Sequence, residues 1–528
     1  MSRRSLVDLA AEASRGGAYL FAGNALSLAL SALASILIAR LLGPEGYGIY
    51  SLVLTVPAIV GPLIGLGIGQ AVTRYVAMLG SEGKGCDASM YIRVALIFEA
   101  SLGLVAMVLV FLCSDLVAMY MLGRPGIGSL VGLVSPLVLT GSIIGICDGV
   151  FLAFLKTKYS ALVKSLQALV KLALSPLLAL SLGVMGALGG NVASYIVATI
   201  ASLALLASAC RTLGSNNKAT SVGYVEALRS MISYAYPLYL PTLLGFLIGR
   251  VIFVLTAHFV SDYELGNYSV AQNLYSPISM ATSAIGSSLF AVFSGLDPGR
   301  ESREVAEVFR ASVKYSTVLM VPAIAMAILF SRDLVVLVYG LDYEAAPLYL
   351  ALTATGALGV GLGAYVLGGL FAGIGKTQEV FRSWIVNTLV SLPLTLILLP
   401  RLGMVGAIVA GLIGGYASTV YLLMRAKIEA GVSIGAKEIA RVYVSAAISA
   451  LATLPVLYVE IHEVLRVILA SIIYVASYAI ILPLLGALKE DEVSILVNVA
   501  RRSGPVLLPL TLLLRIEERI IRKLKQIL

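Results

Sequence analysis

Long apolar runs separated by short polar connections carry the chain from residue 17 to residue 486. Fourteen runs of 20 to 28 residues stand out, at 17–39, 47–69, 91–113, 127–154, 159–182, 186–209, 231–257, 267–294, 312–331, 346–372, 379–400, 404–424, 440–459 and 464–486. A helix rising ~1.5 Å per residue needs about 20 such residues to cross a hydrocarbon core of roughly 30 Å. Strands of about ten residues alternating apolar and polar, the mark of a transmembrane barrel, do not occur. The first run is too long for a cleaved signal peptide. Composition agrees: 59% of residues are hydrophobic, 12% are charged and mean hydropathy is +0.98, which excludes a water-soluble globule. The expected fold is therefore an all-α polytopic membrane protein with about 14 transmembrane helices.

Sorting the connections onto alternate sides gives the orientation. Of 37 Lys and Arg residues, 30 fall on one side and five on the other (Arg40, Arg124, Arg332, Arg401 and Arg466), and Lys171 and Arg250 lie inside spans. The positive-inside rule then puts both termini in the cytoplasm of a multi-pass cell-membrane protein. The net charge of +9 reflects this topology and contact with anionic inner-leaflet lipid, not nucleic-acid binding. At the C-terminus, residues 515–528 place Ile516, Ile520, Ile521, Leu524, Ile527 and Leu528 on one helical face, ringed by Arg519, Arg522, Lys523 and Lys525. Such a helix lies on the inner leaflet. Docking of a glycan-assembly enzyme is its other conceivable use, although no motif points to one.

Soluble chemistry finds little support. Cys86, Cys113, Cys147 and Cys210 are scattered without a CxxC, and His258 and His462 sit in different connections, so no metal centre, catalytic constellation or cofactor is expected. The stretch "FAGIGKT" at 371–377 has Leu370 where a phosphate-binding loop requires glycine, and a membrane span precedes it instead of a strand. "GLGIGQ" at 65–70 reads as close helix packing.

The chain repeats itself. Gly48-Ile49-Tyr50-Ser51 matches Gly266-Asn267-Tyr268-Ser269 at an offset of 218. Lys156-Thr157 matches Lys376-Thr377, and Leu182-Gly183 with Gly186-Ala187 matches Leu402-Gly403 with Gly406-Ala407, both at 220. Six helices separate equivalent positions, so the repeats run in the same direction through the membrane, related by a pseudo-twofold along its normal. The expected organisation is two parallel six-helix lobes, residues 1–225 and 226–430. Two accessory helices at 431–486 and a basic amphipathic tail at 487–528 follow them.

Three stretches carry a family resemblance. "ARLLGPEGYGIYSL" with "GLGIGQAVTRYVA" at 65–77, "GNYSVAQNLYSP" at 266–277 and "LVYGLDYEAAPLYL" at 337–350 resemble the oligosaccharide flippases of the multidrug, oligosaccharidyl-lipid and polysaccharide exporter superfamily. The resemblance spans nearly the whole chain and favours the flippase branch over the drug-efflux branch. It implies translocation of a polyprenyl-phosphate- or pyrophosphate-linked oligosaccharide by alternating access, for surface polysaccharide or glycoprotein biosynthesis, by a transporter and not an enzyme. Such families commonly carry an acidic residue in helix seven two positions after a basic one. Here Ile252 follows Arg250, so no role for that carboxylate transfers.

Charges at membrane depth cost roughly 2.5 to 3.5 kcal/mol each and need a partner, a cavity or a function. Arg250 lies eight residues before His258, ~12 Å from the external end. Its planar guanidinium suits a phosphate or pyrophosphate. Lys171 is a candidate for the same role, and Arg40 at the first external turn is a candidate if it reaches the cleft, the alternative being an interface anchor. Glu99 and Asp148 lie at similar depth, ~12 Å from the cytoplasmic side. With Lys171 they are expected to cluster, either as a site for H+ or Na+ or as a static ion pair. A cation-coupled drug or small-solute antiporter is the alternative function. Against it, the first helix has no carboxylate and two of the deep charges are cations.

Overall fold

The computed structural model describes residues 6–211, 222–296, 302–457, 459 and 462–488. The tail at 515–528 lies outside them. Every regular element among the described residues is helical: α1 (Leu6–Gly65), α2 (Ile68–Ser81), α3 (Gly85–Leu112), α4 (Ser114–Leu116), α5 (Gly128–Val134), α6 (Pro136–Ala153), α7 (Thr157–Cys210), α8 (Tyr224–Ala257), α9 (Asp262–Phe293), α10 (Ser302–Leu329), α11 (Ser331–Tyr339), α12 (Ala346–Ala357), α13 (Ala364–Gly373), α14 (Thr377–Ala430), α15 (Ala436–Leu457) and α16 (Glu463–Leu484), with a π-helical turn at Val117–Met121 and a 3₁₀ turn at Leu358–Leu362. The described residues of the expected runs lie mainly on helix. Nine described helices are long and apolar enough to cross a membrane, or ten if the bent pair Ala346–Leu362 and Ala364–Gly373 counts as one.

Three helices are too long to cross once. α1, α7 and α14 contain 60, 54 and 54 residues, and at 1.5 Å per residue each would extend ~80 to 90 Å. A glycine breaks each one: Gly43 (φ 67°, ψ 178°), Gly183 (φ 56°, ψ −134°) and Gly403 (φ 56°, ψ −140°). Side chains rarely tolerate those angles, so glycine sets the turn. After Gly183 the chain doubles back so tightly that a Cβ on Gly186 would stand 2.0 Å from the Leu178 carbonyl oxygen.

The internal repeat is visible in the backbone. Gly403 reproduces the dihedral angles of Gly183, and a Cβ on Gly406 would meet the Leu398 oxygen at 2.4 Å, as one on Gly186 meets Leu178. At the start of the same hairpins the amide of Lys156 donates to Phe151 (2.9 Å) and that of Lys376 to Phe371 (2.8 Å). The preceding residue is left-handed in both, Leu155 at φ 56° and Gly375 at φ 79°. "FAGIGKT" is thus the turn from α13 into α14, not a strand-to-helix phosphate loop.

The chain forms two compact units, residues 1–269 and 270–528. In the first, α2, α3 and α6 bury Ile68, Val72, Val94, Cys147 and Phe151, and the rings of Tyr75 and Tyr91 stack at 4.9 Å. α2 meets α6 through glycine, as expected for "GLGIGQ": a Cβ on Gly149 would lie 2.7 Å from the Gly69 oxygen, and Thr73 donates to the carbonyls of Gly69 (2.9 Å) and Gly149 (3.0 Å). Leu104, Leu109 and Leu112 on α3 and Leu177 and Leu180 on α7 are exposed, as a lipid-facing surface requires.

In the second unit the 3₁₀ turn between α12 and α13 interrupts the helical ladder, and tyrosines take over the freed backbone groups. The Tyr443 hydroxyl accepts from the Gly361 amide (3.2 Å) and donates to the Leu358 carbonyl, while Tyr416 donates to the Thr355 carbonyl (2.9 Å). Unwound backbone at membrane depth is tolerated only when satisfied in this way. α16 is fastened by the Arg466–Asp333 ion pair (Nε to Oδ1, 2.9 Å) and by Tyr478, which donates to the Val318 carbonyl (3.1 Å).

Candidate functional site

A cavity of about 690 Å³ lies inside the first unit, walled by α1, α2, α3, α6, α7 and α8. Small and kinked residues make room for it. Pro57, Gly61, Pro62 and Gly65 of α1 present little side chain, and Gly67, left-handed at φ 76°, admits Tyr239 so closely that a Cβ would clash at 2.8 Å. Tyr239 donates to the Pro62 carbonyl (3.0 Å) and so ties α8 to this wall.

Opposite charges stand on different walls. On α3, Glu99 is 2% exposed, and its Oε2 has no hydrogen-bond partner among the described residues. On α7, Lys171 lines the cavity half-buried and forms no ion pair or hydrogen bond among the described residues. The two limbs of α7 place Asn191 near it. Gln167 donates to Ser194 (3.1 Å), and a Cβ on Gly190 would meet Ser175 at 2.5 Å, a register that sets Asn191 across from Lys171. Asn191 is 4% exposed and its Oδ1 also lacks a partner among the described residues. Among the described residues the cavity wall thus carries one cation without an ion pair, Lys171, together with the polar side chains of Gln70, Gln167 and Asn191, a set suited to a ligand that carries both an anionic group and hydroxyls.

A second cavity, of about 450 Å³, adjoins the first and shares Gly69, Gln70 and Gly145 with it. Here Asp148 accepts from Lys164 (3.2 Å) and from the Ser160 hydroxyl (2.8 Å). Thr157, Ser160 and Lys164 line this cavity, and Gln167 and Lys171 line the larger one. At spacings of three and four residues they form one polar stripe along the first limb of α7.

The model of the family described as "polysaccharide biosynthesis protein" matches residues 13–296. The chain belongs to that family. No curated protein matches the sequence. Among solved structures, that of the lipid II flippase MurJ in an inward closed conformation is similar at 15% identity with a TM-score of 0.69, over 88% of this chain and 97% of that one. An inward-facing multidrug resistance MATE family transporter of the MOP superfamily is similar at 16% identity and a TM-score of 0.57, over 76% and 94%. A MOP superfamily transporter from Pyrococcus furiosus gives 16% identity and a TM-score of 0.55, over 80% and 95%. At such identities the likeness establishes a shared fold: this member of the polysaccharide biosynthesis family has the MurJ and MATE architecture.

Of the residues the sequence singled out in this family member, Glu99 and Lys171 share a cavity. Asp148 does not join them, because it turns toward Lys164 in the neighbouring space. Arg250 is half-buried on α8 and Arg40 exposed on α1, and neither lines these cavities. Lys164, counted by sequence with the cytoplasmic charges, is drawn into the smaller cavity by Asp148. Gln70, Gln167 and Asn191 escaped notice because neutral amides do not disturb an apolar run. The signal that would have found two of the α7 residues is the stripe itself, Thr157-Ser160-Lys164-Gln167-Lys171.

Proposed function

We propose that the protein is a flippase that moves a lipid-linked oligosaccharide, carried on a polyprenyl phosphate or pyrophosphate, across the cell membrane by alternating access. The product would serve surface polysaccharide or glycoprotein biosynthesis. The observation that carries this reading is Lys171: a cation without an ion-pair partner among the described residues, lining a 690 Å³ cavity in a polysaccharide biosynthesis family member. The glycan head is too polar to cross hydrocarbon unaided, whereas the polyprenyl tail never needs to leave it. A cavity among the spans that offers a cation to phosphate and the amide side chains of Gln70, Gln167 and Asn191 to sugar hydroxyls meets that demand. The lipid II flippase MurJ, which shares the fold, moves a substrate of this general kind.

In this reading the six-helix lobes 1–225 and 226–430 rock as bodies, both termini are cytoplasmic, and Arg250 and Arg40 meet the phosphate at other stages of the cycle. A second reading, a cation-coupled small-solute antiporter, is favoured by the Oε2 of Glu99, which has no hydrogen-bond partner among the described residues and would take H+ or Na+. Asp148 is the other carboxylate available to such an ion.

The experiment is flipping of a fluorescent lipid-linked saccharide in proteoliposomes, beside a neutral glycolipid lacking phosphate. Losing one charged hydrogen bond is worth ~1.5 to 3 kcal/mol, so Lys171→Gln is expected to weaken binding of the phosphorylated lipid roughly ten- to a hundredfold. Lys171→Arg is expected to retain most of it. Equal handling of the phosphorylated and neutral lipids by the parent protein would reject the reading, and exchange of organic cations for protons in the same vesicles would favour the antiporter.

A further inference from the structure

The polar stripe of α7 has a direction. Thr157 begins the helix after the turn from α6, which the apolar runs 127–154 and 159–182 predict to lie at a membrane surface, and Lys171 lies fourteen residues further along, ~21 Å at helical rise. The stripe borders the smaller cavity first and the larger one second, and the shared residues Gly69, Gln70 and Gly145 make the two contiguous. Two lysines punctuate it seven residues apart, ~10.5 Å along the same face. They differ in state: Lys164 is neutralised by Asp148 at 3.2 Å, whereas Lys171 pairs with no carboxylate among the described residues.

We propose that Lys164 is an anion-binding station on an access path to Lys171, and that Asp148 is its latch. The proposal rests on the reading above only in that the cargo carries an anionic group. A phosphate or carboxylate arriving from the surface turn displaces Asp148 from Lys164 and then passes along Gln167 to the unpaired ammonium of Lys171. The smaller cavity supplies the means to hold it, since the Ser160 hydroxyl, which now donates to Asp148, becomes available as Asp148 leaves. Thr73 cannot help, because its hydroxyl is committed to the α2–α6 crossing. Asp148 therefore acts as a placeholder anion. It keeps Lys164 neutral while the path is empty and withholds it from weak competitors.

The test needs no substrate, so its failure is separable from failure of the flippase reading. In a background with Cys86, Cys113, Cys147 and Cys210 replaced by alanine, single cysteines are placed at Gln167, in the path, and at Ser81, an exposed position at the end of α2. Each is treated with an anionic (sulfonatoethyl) and a cationic (trimethylammonioethyl) methanethiosulfonate, added on the side from which Ser81→Cys reacts. The ratio of anionic to cationic rate at Gln167→Cys is expected to exceed that at Ser81→Cys by roughly tenfold, as for a site with net positive potential. Lys164→Gln should abolish the excess, Lys164→Arg should keep it, and Asp148→Asn should raise the anionic rate severalfold by freeing the lysine. The Arg variant and the melting temperature of each protein separate loss of charge from loss of fold. Silence of Gln167→Cys toward both reagents would remove the path. An equal or inverted ratio, or a preference indifferent to Lys164→Gln, would overturn the anion station.

Discussion

Gly48 and Gly266 make the same contact with their roles exchanged. A Cβ on Gly48 would stand 1.9 Å from the Asp262 carbonyl oxygen, and one on Gly266 would stand 1.9 Å from that of Pro44. Asp262 is the repeat counterpart of Pro44, at the offset of 218 that relates Gly266 to Gly48. Residue i meeting j′ while i′ meets j is the signature of a local twofold. The stretches 38–52 and 256–270 resemble each other because they cross each other, and a backbone crossing this close admits only glycine. The neighbouring clasp is not symmetric: Arg124 holds Asp262 (2.8 Å) and the Val260 carbonyl (2.6 Å), and His258 meets the Tyr120 carbonyl at 3.2 Å.

Gly48→Ala and Gly266→Ala are therefore expected to destabilise the protein to similar extents. Overpacking typically costs ~1 to 3 kcal/mol. The double variant should cost less than twice as much, because one separation of the crossing relieves both clashes. Thermal unfolding in detergent measures all three, and strict additivity would argue against a shared crossing.

Leu155 and Gly375 occupy equivalent left-handed positions, and only one is a glycine. A left-handed conformation costs a side chain roughly 1 to 2 kcal/mol. Gly375→Leu should accordingly lower the melting temperature, while Leu155→Gly, at a site already 44% exposed, should leave it unchanged or raise it. The same melting assay reads both.

Tyr443→Phe would strand both the Gly361 amide and the Leu358 carbonyl at the unwound turn between α12 and α13. Tyr416→Phe strands the Thr355 carbonyl alone. With buried unsatisfied groups costing ~1 to 3 kcal/mol each, the first variant should melt at the lower temperature. Hydrogen exchange of the Gly361 amide should accelerate in the first and not in the second.

Arg250 lies outside both cavities, so its removal tests whether the headgroup is met elsewhere. If Lys171 is the deep station, Arg250→Gln should weaken binding of a phosphorylated lipid less than Lys171→Gln does, with Arg250→Lys intermediate between parent and Gln. Binding measured by fluorescence in detergent gives the order.

Orientation is tested chemically. Single cysteines at Ser2, Asn217 and Gln526 should resist impermeant maleimide in intact cells, whereas one at Asp342 should react. Labelling of Asn217 from outside would reverse the assignment drawn from the basic residues.

The helices were legible in the sequence because twenty-odd apolar residues have few alternatives in lipid, and the glycine breaks were legible at Gly183 and Gly403 because the repeat wrote them twice. The site was half legible. Counting residues from a membrane surface gives depth along a helix and nothing about azimuth, which is why Glu99, Lys171 and Asp148 looked like one cluster. Asp148 shares their depth yet projects toward Lys164, one turn beyond Ser160 on α7. Lys164 itself was misleading, because eight residues beyond Lys156 it could equally have snorkelled to the surface. Only packing against α6 decides that it does not.

The seven residues between Lys164 and Lys171 also set an electrical distance. Their ~10.5 Å is about a third of a 30 Å hydrocarbon core. A monovalent anion stepping from one lysine to the other would cross a similar share of the transmembrane voltage if the field falls evenly. At 100 mV that share is ~0.8 kcal/mol, roughly a fourfold bias in occupancy. If the start of α7 faces a negative cytoplasm, as the distribution of basic residues predicts, the bias pushes the anion inward toward Lys171. The polarised membrane would then load the deep station by itself, without any ion travelling alongside.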